Sequence, residues 1–260
     1  MYNQFFGLHD EPFRSTPEPN FLFLTAAHRQ GLAGLTYAVL GQKGVALLVG
    51  GVGTGKTTLM ATAAHCIPAT RVNFSTLVRP PHEPCELLQA VLFGFGITEV
   101  PDGKVQRLRK LEKFIWESEQ NGKIPALIID EVHTLSAESL EQVKFLGNLG
   151  LLQILLAGQP EIDNLLQLDA SRGLRERISL RLALDPLSPN EVEGYIRHRW
   201  QKCGGGQSLP FTEDAIGTIY QMSKGVPRLI NSICDNALLL AFEQKSRSLS
   251  HEHIVQCLVH

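Results

Sequence analysis

The chain carries five cysteines, Cys66, Cys85, Cys203, Cys234 and Cys257, and no CxxC pair among them. An odd, scattered set of this kind supports neither a disulfide framework nor a zinc site, and it fits reduced thiols in a cytoplasmic setting. Long apolar runs are also missing. None approaches the ~18 residues of a membrane span, and the opening "MYNQFFGLHDEPF" has neither the basic start nor the apolar core of a signal peptide. The expectation is a chain that does not itself cross a membrane. A strong charge of one sign is absent too: the formal net charge is -2. That removes any global pull toward nucleic acid or an anionic bilayer and leaves only local patches to act on polyanions. No internal repeat or low-complexity segment is visible.

What is present is enough apolar material, 43% of 260 residues, to bury a sizeable core in one large domain or a large and a small one. Short apolar runs alternate with amphipathic stretches, the pattern of parallel strands covered by helices. It predicts an α/β core with five strands over 45–50, 71–75, 126–130, 152–157 and 180–184. After "LDPLSP" at 184–189 the strand-like runs cease. Helical periodicity takes over at 191–202, 213–223 and 227–242, with a weaker pattern over 251–258, so residues 1–185 are expected to hold the N-terminal segment and core and 186–260 a small helical domain. "CGGGQ", 203–207, reads as a flexible loop.

The stretch "LLVGGVGTGKTTL" carries the chemistry. Gly50, Gly55, Lys56 and Thr57 match GxxxxGK[ST], with the apolar "VALLV" before the loop and "TTLMATAAH" after it. A strand, a glycine loop and a helix start turn backbone N–H groups toward phosphates. Residues Gly50, Gly51, Val52, Gly53, Thr54, Gly55, Lys56, Thr57 and Thr58 are therefore the candidate binding loop for ATP. Lys56 is placed for the β and γ phosphates and Thr57 for Mg²⁺. The bland alternative is a glycine turn between strand and helix.

A second element is "ALIIDEVHTLS", 126–136. A buried strand that ends in two carboxylates is costly unless they meet a cation or water. Asp130 is placed to orient Mg²⁺ or its waters, and Glu131 to polarise an attacking water; alternatively the pair caps the following helix. A Glu after the Asp favours hydrolysis over transfer to a small-molecule substrate. Positive charge against the γ-phosphate comes from "SRGLRERISLRLAL", with Arg172, Arg175, Arg177 and Arg181, and from Arg228 in "KGVPRLINSICDNALL". The cluster suits a neighbouring subunit's nucleotide, and its alternative is ion pairing with Glu161, Asp163 and Glu176.

The order of these elements, Walker A, "IIDE", "LLAGQPEI", "LRERISLR" and "GVPRLIN", resembles the AAA+ ATPases, P-loop NTPases with a three-layer core and a helical lid. It is more closely similar to the general secretion pathway protein A family and related pilus-biogenesis (MSHA-type) ATPases. The N-terminal "YNQFFGLHDEPFRSTPEPNFLFLTAAHRQGLAGLTYAV" looks like that family's entry segment, so the resemblance covers nearly the whole chain. It implies an ATPase that works as a nucleotide-dependent homo-oligomer on protein components of a secretion or pilus system. The resemblance places such a protein in the cytoplasm, reaching the inner face of the inner membrane through partners. It puts Gln159 at the sensor-1 position, Arg228 at sensor 2, and the arginine finger at Arg177, with Arg175 or Arg181 as alternatives. In two places the chain departs from the family. "FLGNLGLLQILLAG" is shorter than the acidic connection that members commonly carry. Members that span the inner membrane also continue into a transmembrane helix and a peptidoglycan-binding region, so this chain resembles a free-standing member or an isolated ATPase portion.

Two weaker features remain. "HEH", 251–253, has no third metal ligand in view and reads as a solvated helix start. Lys104, Arg107, Lys110 and Lys113 form one side of a helix whose opposite face is Val105, Leu108, Leu111 and Ile115. That basic side is a solvated face or a surface for nucleic acid, anionic lipid or an acidic protein. It keeps open a second reading, a DNA-associated AAA+ regulator of the transposition type.

Overall fold

The run "VALLVG" is buried at all of its positions, as a strand covered on both faces must be, and it forms β1, Val45–Gly50. A computed structural model describes residues 2–14, 16 and 18–257. Four more strands join β1: β2 Val72–Leu77, β3 Ile124–Ile129, β4 Gln153–Gly158 and β5 Ile178–Leu184. They form one parallel sheet in the order β2-β3-β4-β1-β5. The five-stranded α/β core expected from the sequence is thus present, with strand ends moved by one to two residues. Periodicity locates such ends only loosely.

Burial varies with position in the sheet. The central strands β1 and β4 are buried throughout, whereas the edge strand β5 alternates and exposes Ser179, Arg181 and Ala183. Between Val45 and Ala46 the register of β1 against β5 shifts, and the hydroxyl of Ser179 donates to the Val45 carbonyl at 3.0 Å. A bulge here spares the extra residue an unmet polar group. Gln153 is 1% exposed at the start of β4, yet both ends of its amide are met: Oε1 accepts from Gly44 N–H at 2.8 Å, and Nε2 donates to the Leu151 carbonyl at 3.1 Å. That pairing fixes where β1 and β4 begin.

Compact clustering divides the chain into residues Ala26–Gly51 with Lys56–Leu184, and residues Met1–Thr25 with Val52–Gly55 and Asp185–His260. The second unit differs from the expected 186–260 in that residues Met1–Thr25 and Val52–Gly55 cluster with the late helices. Its helices are Tyr2–Phe6, Pro189–Lys202, Glu213–Ser223, Pro227–Glu243 and His251–Gln256. The expected end of the last one, Leu258, lies outside the described residues. Tyr2, Leu8 and Phe13 share a core with Val192, Trp200 and Ile230, and the Tyr2 hydroxyl donates to Asp235.

Arg199, only 6% exposed, explains the attachment. Its guanidinium donates to the carbonyls of Pro12 (2.5 Å) and Arg14 (3.1 Å) and to the Tyr195 hydroxyl (3.1 Å), and it lies 4.9 Å from the centre of the Phe21 ring. Tyr195 in turn donates to Asn231 Oδ1 at 2.7 Å. A buried cation is tolerated because each of these acceptors is in place.

The "CGGGQ" loop is not merely flexible. A Cβ on Gly204, whose φ is +86°, would stand 2.5 Å from His9 Nδ1, and one on Gly205 would stand 2.3 Å from Trp200 Nε1. A side chain there would make His9 or Trp200 shift, and at Gly204 it would also be strained by the positive φ. Gly225 is tighter still: φ is +76°, and a Cβ would lie 1.9 Å from the Leu187 carbonyl oxygen, beside the bond from Leu187 N–H to the Gly225 carbonyl at 2.8 Å. Gly225→Ala is expected to destabilise the helical unit by about 2–4 kcal/mol through backbone clash and strain. Gly206→Ala, where a Cβ meets nothing within 4 Å, should stay within about 0.5 kcal/mol of wild type. Urea unfolding monitored by Trp200 fluorescence in a Trp116→Phe background measures both, and equal midpoints for the two variants would refute the assignment of strain to Gly225.

Candidate functional site

The glycine loop leaves β1 at Gly50 and enters the helix Lys56–Cys66. Gly53 and Gly55 take φ of +75° and +102°, values that keep the loop free of side chains where it turns. Lys56 is 5% exposed, and its ammonium donates to the carbonyls of Gly50 and Gly51, each at 2.9 Å. The loop therefore holds its cation directly above its own backbone. Residues Val52–Gly55 cluster with the helical unit. There the Arg228 N–H donates to the Gly53 carbonyl at 3.3 Å, and a Cβ on Gly53 would stand 2.7 Å from Arg228 Cβ.

Asp130 comes directly after the last residue of β3 and is 2% exposed. Its Oδ2 accepts from the Thr57 hydroxyl at 2.5 Å, and its Oδ1 accepts the Glu131 N–H at 2.8 Å. Two oxygen donors side by side at a helix start, one of them a carboxylate, fit a hard divalent cation such as Mg²⁺. Lys56 and the loop's N–H groups fit polyphosphate. The donor set is thus chemically suited to Mg²⁺-ATP.

Glu131 occupies the left-handed region, φ +52°, and its side chain makes no capping bond. The helix Ala137–Gly147 is capped instead by Ser136, whose Oγ accepts from Ser139 N–H at 3.1 Å. This removes the alternative that the acidic pair serves as that helix's cap. Glu131 Oε2 instead meets the Gln159 amide Nε2 at 3.3 Å and His133 Nε2 at 3.4 Å. Gln159 comes directly after β4, so one sheet edge brings together Thr57, Asp130, Glu131 and Gln159. All four were expected from the sequence. His133 was not, and its signal was its place two residues after Glu131.

The arginines divide. Arg181 holds Asp163 with bonds of 2.5 and 2.6 Å, and Arg172 pairs with Glu176 at 2.9 Å, two of the ion pairings weighed as alternatives. Arg177 and Arg175 donate instead to the carbonyls of Gly147 (3.3 Å) and Leu166 (3.5 Å), and neither stands in an ion pair among the described residues. Both are exposed. The basic side of helix Lys104–Gln120 is largely engaged. Arg107 donates to the carbonyls of Pro101 (2.6 Å) and Cys85 (2.8 Å), Lys110 bonds the Glu99 carbonyl, and Lys113 faces Glu117 at 3.6 Å. Leu111 and Ile115 are buried as expected, but Val105, in the first turn, is 60% exposed and leaves the apolar stripe.

In "HEH", His251 Nδ1 meets the Thr218 hydroxyl of the helix Glu213–Ser223 at 2.7 Å, whereas His253 Nδ1 accepts Ser250 N–H at 3.2 Å and serves the helix start. All five cysteines are free, with Cys203, Cys234 and Cys257 buried. No helix among the described residues is long and apolar enough to cross a membrane.

Comparison with known proteins agrees with this geometry. A family model described as "AAA domain" matches residues 39–166. The chain is 36% identical to General secretion pathway protein A of Aeromonas hydrophila over 98% of its own length and 47% of that protein's. It is 31% identical to a potential ATP-binding protein of Staphylococcus aureus, over 42% of this chain and 41% of that one. The chain thus spans less than half of these curated relatives. Among solved structures, the Aeropyrum pernix ORC2 protein superposes with a TM-score of 0.71 at 16% identity, over 96% of this chain and 70% of that one. The Thermotoga maritima RuvB Holliday junction branch migration motor gives 0.58 at 17% identity, over 95% and 72%. With the parallel sheet in the order β2-β3-β4-β1-β5 and the glycine loop after β1, these similarities place the chain in the AAA+ ATPase family, related to general secretion pathway protein A.

Proposed function

We propose that this chain binds Mg²⁺-ATP at the loop Gly50 to Thr58, hydrolyses it, and couples turnover to the assembly or operation of a secretion or pilus apparatus. The observation that carries the nucleotide part is the bond between Thr57 and Asp130, which joins the phosphate loop to the acid after β3. In this reading Thr57 and Asp130 hold Mg²⁺, and Lys56 turns its ammonium from the loop carbonyls to the β and γ phosphates. When bound, Mg²⁺ offsets charge that develops on the phosphate oxygens. Glu131 orients a water and accepts its proton at the carboxylate, while the Gln159 amide fixes that carboxylate. Arg228 is the sensor-2 cation and Arg177 the finger offered to a neighbouring copy. Arg175 remains its alternative, whereas the bidentate hold of Asp163 on Arg181 weighs against the third candidate.

The coupling to secretion or pilus proteins rests on the similarity to General secretion pathway protein A. The proposal also includes a nucleotide-dependent homo-oligomer, a cytoplasmic position and contact with the inner membrane through protein partners. The DNA-regulator reading loses support from the helix Lys104–Gln120, since Arg107 and Lys110 are tied to backbone carbonyls.

Lys56→Ala should weaken ATP binding about 10- to 150-fold, the loss of a charge-assisted contact, with the fold retained. Glu131→Gln should keep ATP bound yet slow hydrolysis about 10²- to 10⁴-fold. Fluorescent-nucleotide titration and phosphate release measure the two, and normal turnover in either folded variant would sink the corresponding role. Arg177→Ala should leave nucleotide affinity intact while abolishing a rise of specific activity with protein concentration, at a cost of about 10³-fold or more. Sedimentation with a non-hydrolysable ATP analogue gives the matching oligomer distribution. A monomer with flat activity at every concentration would count against Arg177. For the second reading, filter binding to duplex DNA at two salt concentrations is expected to show no salt-sensitive retention; retention that falls steeply with salt would favour DNA.

A further inference from the structure

His133 belongs to the 3-10 turn Val132–Thr134, and its side chain is 13% exposed. Its Nδ1 lies 3.3 Å from the backbone N–H of Gln159, and its Nε2 lies 3.4 Å from Glu131 Oε2, the same oxygen that faces the Gln159 amide at 3.3 Å. The backbone N–H can only donate, so Nδ1 must be bare. A neutral imidazole then carries its single proton on Nε2, the nitrogen beside the Glu131 carboxylate, which can only accept. A ring protonated at both nitrogens would lose the Gln159 bond. Glu131 itself has a left-handed backbone and no capping bond. Its carboxylate therefore takes its orientation from two groups that are both fixed to Gln159, one through the side-chain amide and one through the main chain.

We infer that His133, as the neutral Nε2–H tautomer, is a positioning residue that ties the Glu131 carboxylate to the main chain at the end of β4. The water-orienting group and Gln159 then shift together. A movement of the residue after β4 is passed to the acid after β3 through one imidazole rather than through the flexible Gln159 side chain alone. The inference rests on the reading of Glu131 as the group that orients water, and it goes beyond it by assigning the residue that holds Glu131 in place.

Two substitutions separate this role from a merely structural one. Asn places an amide oxygen where Nδ1 sits and can still accept from Gln159, but it has nothing at the Nε2 position. Gln reaches the Nε2 position with an amide donor and gives up the bond to Gln159. In the full chain, His133→Asn is expected to bind a fluorescent ATP analogue within twofold of wild type while kcat falls about 10- to 100-fold, the scale of a misplaced reacting group. His133→Gln, which keeps a donor for Glu131 but gives up the tie to Gln159, should lose kcat in the same range. Wild-type kcat in either variant, or a change in KM with kcat unchanged, would overturn the inference. Independently of activity, imidazole ¹⁵N spectra of the full chain should show His133 as the Nε2–H tautomer at neutral pH, its signals assigned by their disappearance in His133→Gln. An Nδ1–H or doubly protonated ring would also overturn it. Glu131→Gln, measured alongside, keeps the two failures apart. Wild-type turnover in that variant would strike the reading of Glu131, whereas lost turnover there with full activity in His133→Asn would strike only the role of His133.

Discussion

The bond from the Thr57 hydroxyl to Asp130 joins residues 73 positions apart in sequence. It depends on β1 and β3 both running to the same edge of the sheet with β4 between them. In a parallel sheet all carboxyl ends share one edge, so the segments leaving β1, β3 and β4 converge without long excursions of chain. Asp130 is buried at that edge, and an ionised carboxylate is tolerable there because a hydroxyl and a backbone N–H both donate to it. The same edge brings Gln159 to Glu131. Sheet order thus decides which polar groups meet, and the apolar strands decide the order.

Much of this was legible in the residues, because the strongest signals are local. "VALLV" before GxxxxGK[ST] states a strand, a loop and a helix start within a few residues, and "ALIID" states a strand with an acid at its end. Strand ends were less legible. β5 begins two residues earlier than its apolar run indicates, because the bulge at Ser179 extends pairing through a polar residue. The home of the first 25 residues was not legible at all. Its cause is a set of bonds between Arg199 and two carbonyls at the other end of the chain, and no window of sequence contains both partners.

Charge was the hardest thing to read. Four arginines within ten residues look alike in a string, yet Arg181 and Arg172 are taken by carboxylates whereas Arg175 and Arg177 rest on neutral carbonyls. Alternation in β5 does show Arg181 turned outward, but only the fold shows Asp163 waiting for it. The lysines and arginine of helix Lys104–Gln120 make the same point: a basic stripe on a helical wheel becomes, at Arg107, a clamp on the loop at Pro101 and the first turn of the helix Pro84–Gly94. His133 was hidden for a related reason. It stands beside the acidic pair in sequence, but its partner, the Gln159 N–H, lies 26 residues away.

The guanidinium of Arg199 also sets an order of events during synthesis. Its acceptor at Pro12 is made 187 residues earlier. At about 5–20 residues per second, the entry segment waits roughly ten to forty seconds before its counterpart exists. Through that interval Phe13 and Leu8, which end in the helical core, have no core to enter, while the whole parallel sheet is completed between them and their destination. Until Arg199 is made, Phe13 stays without its core, the sort of exposed apolar surface that holdase chaperones occupy.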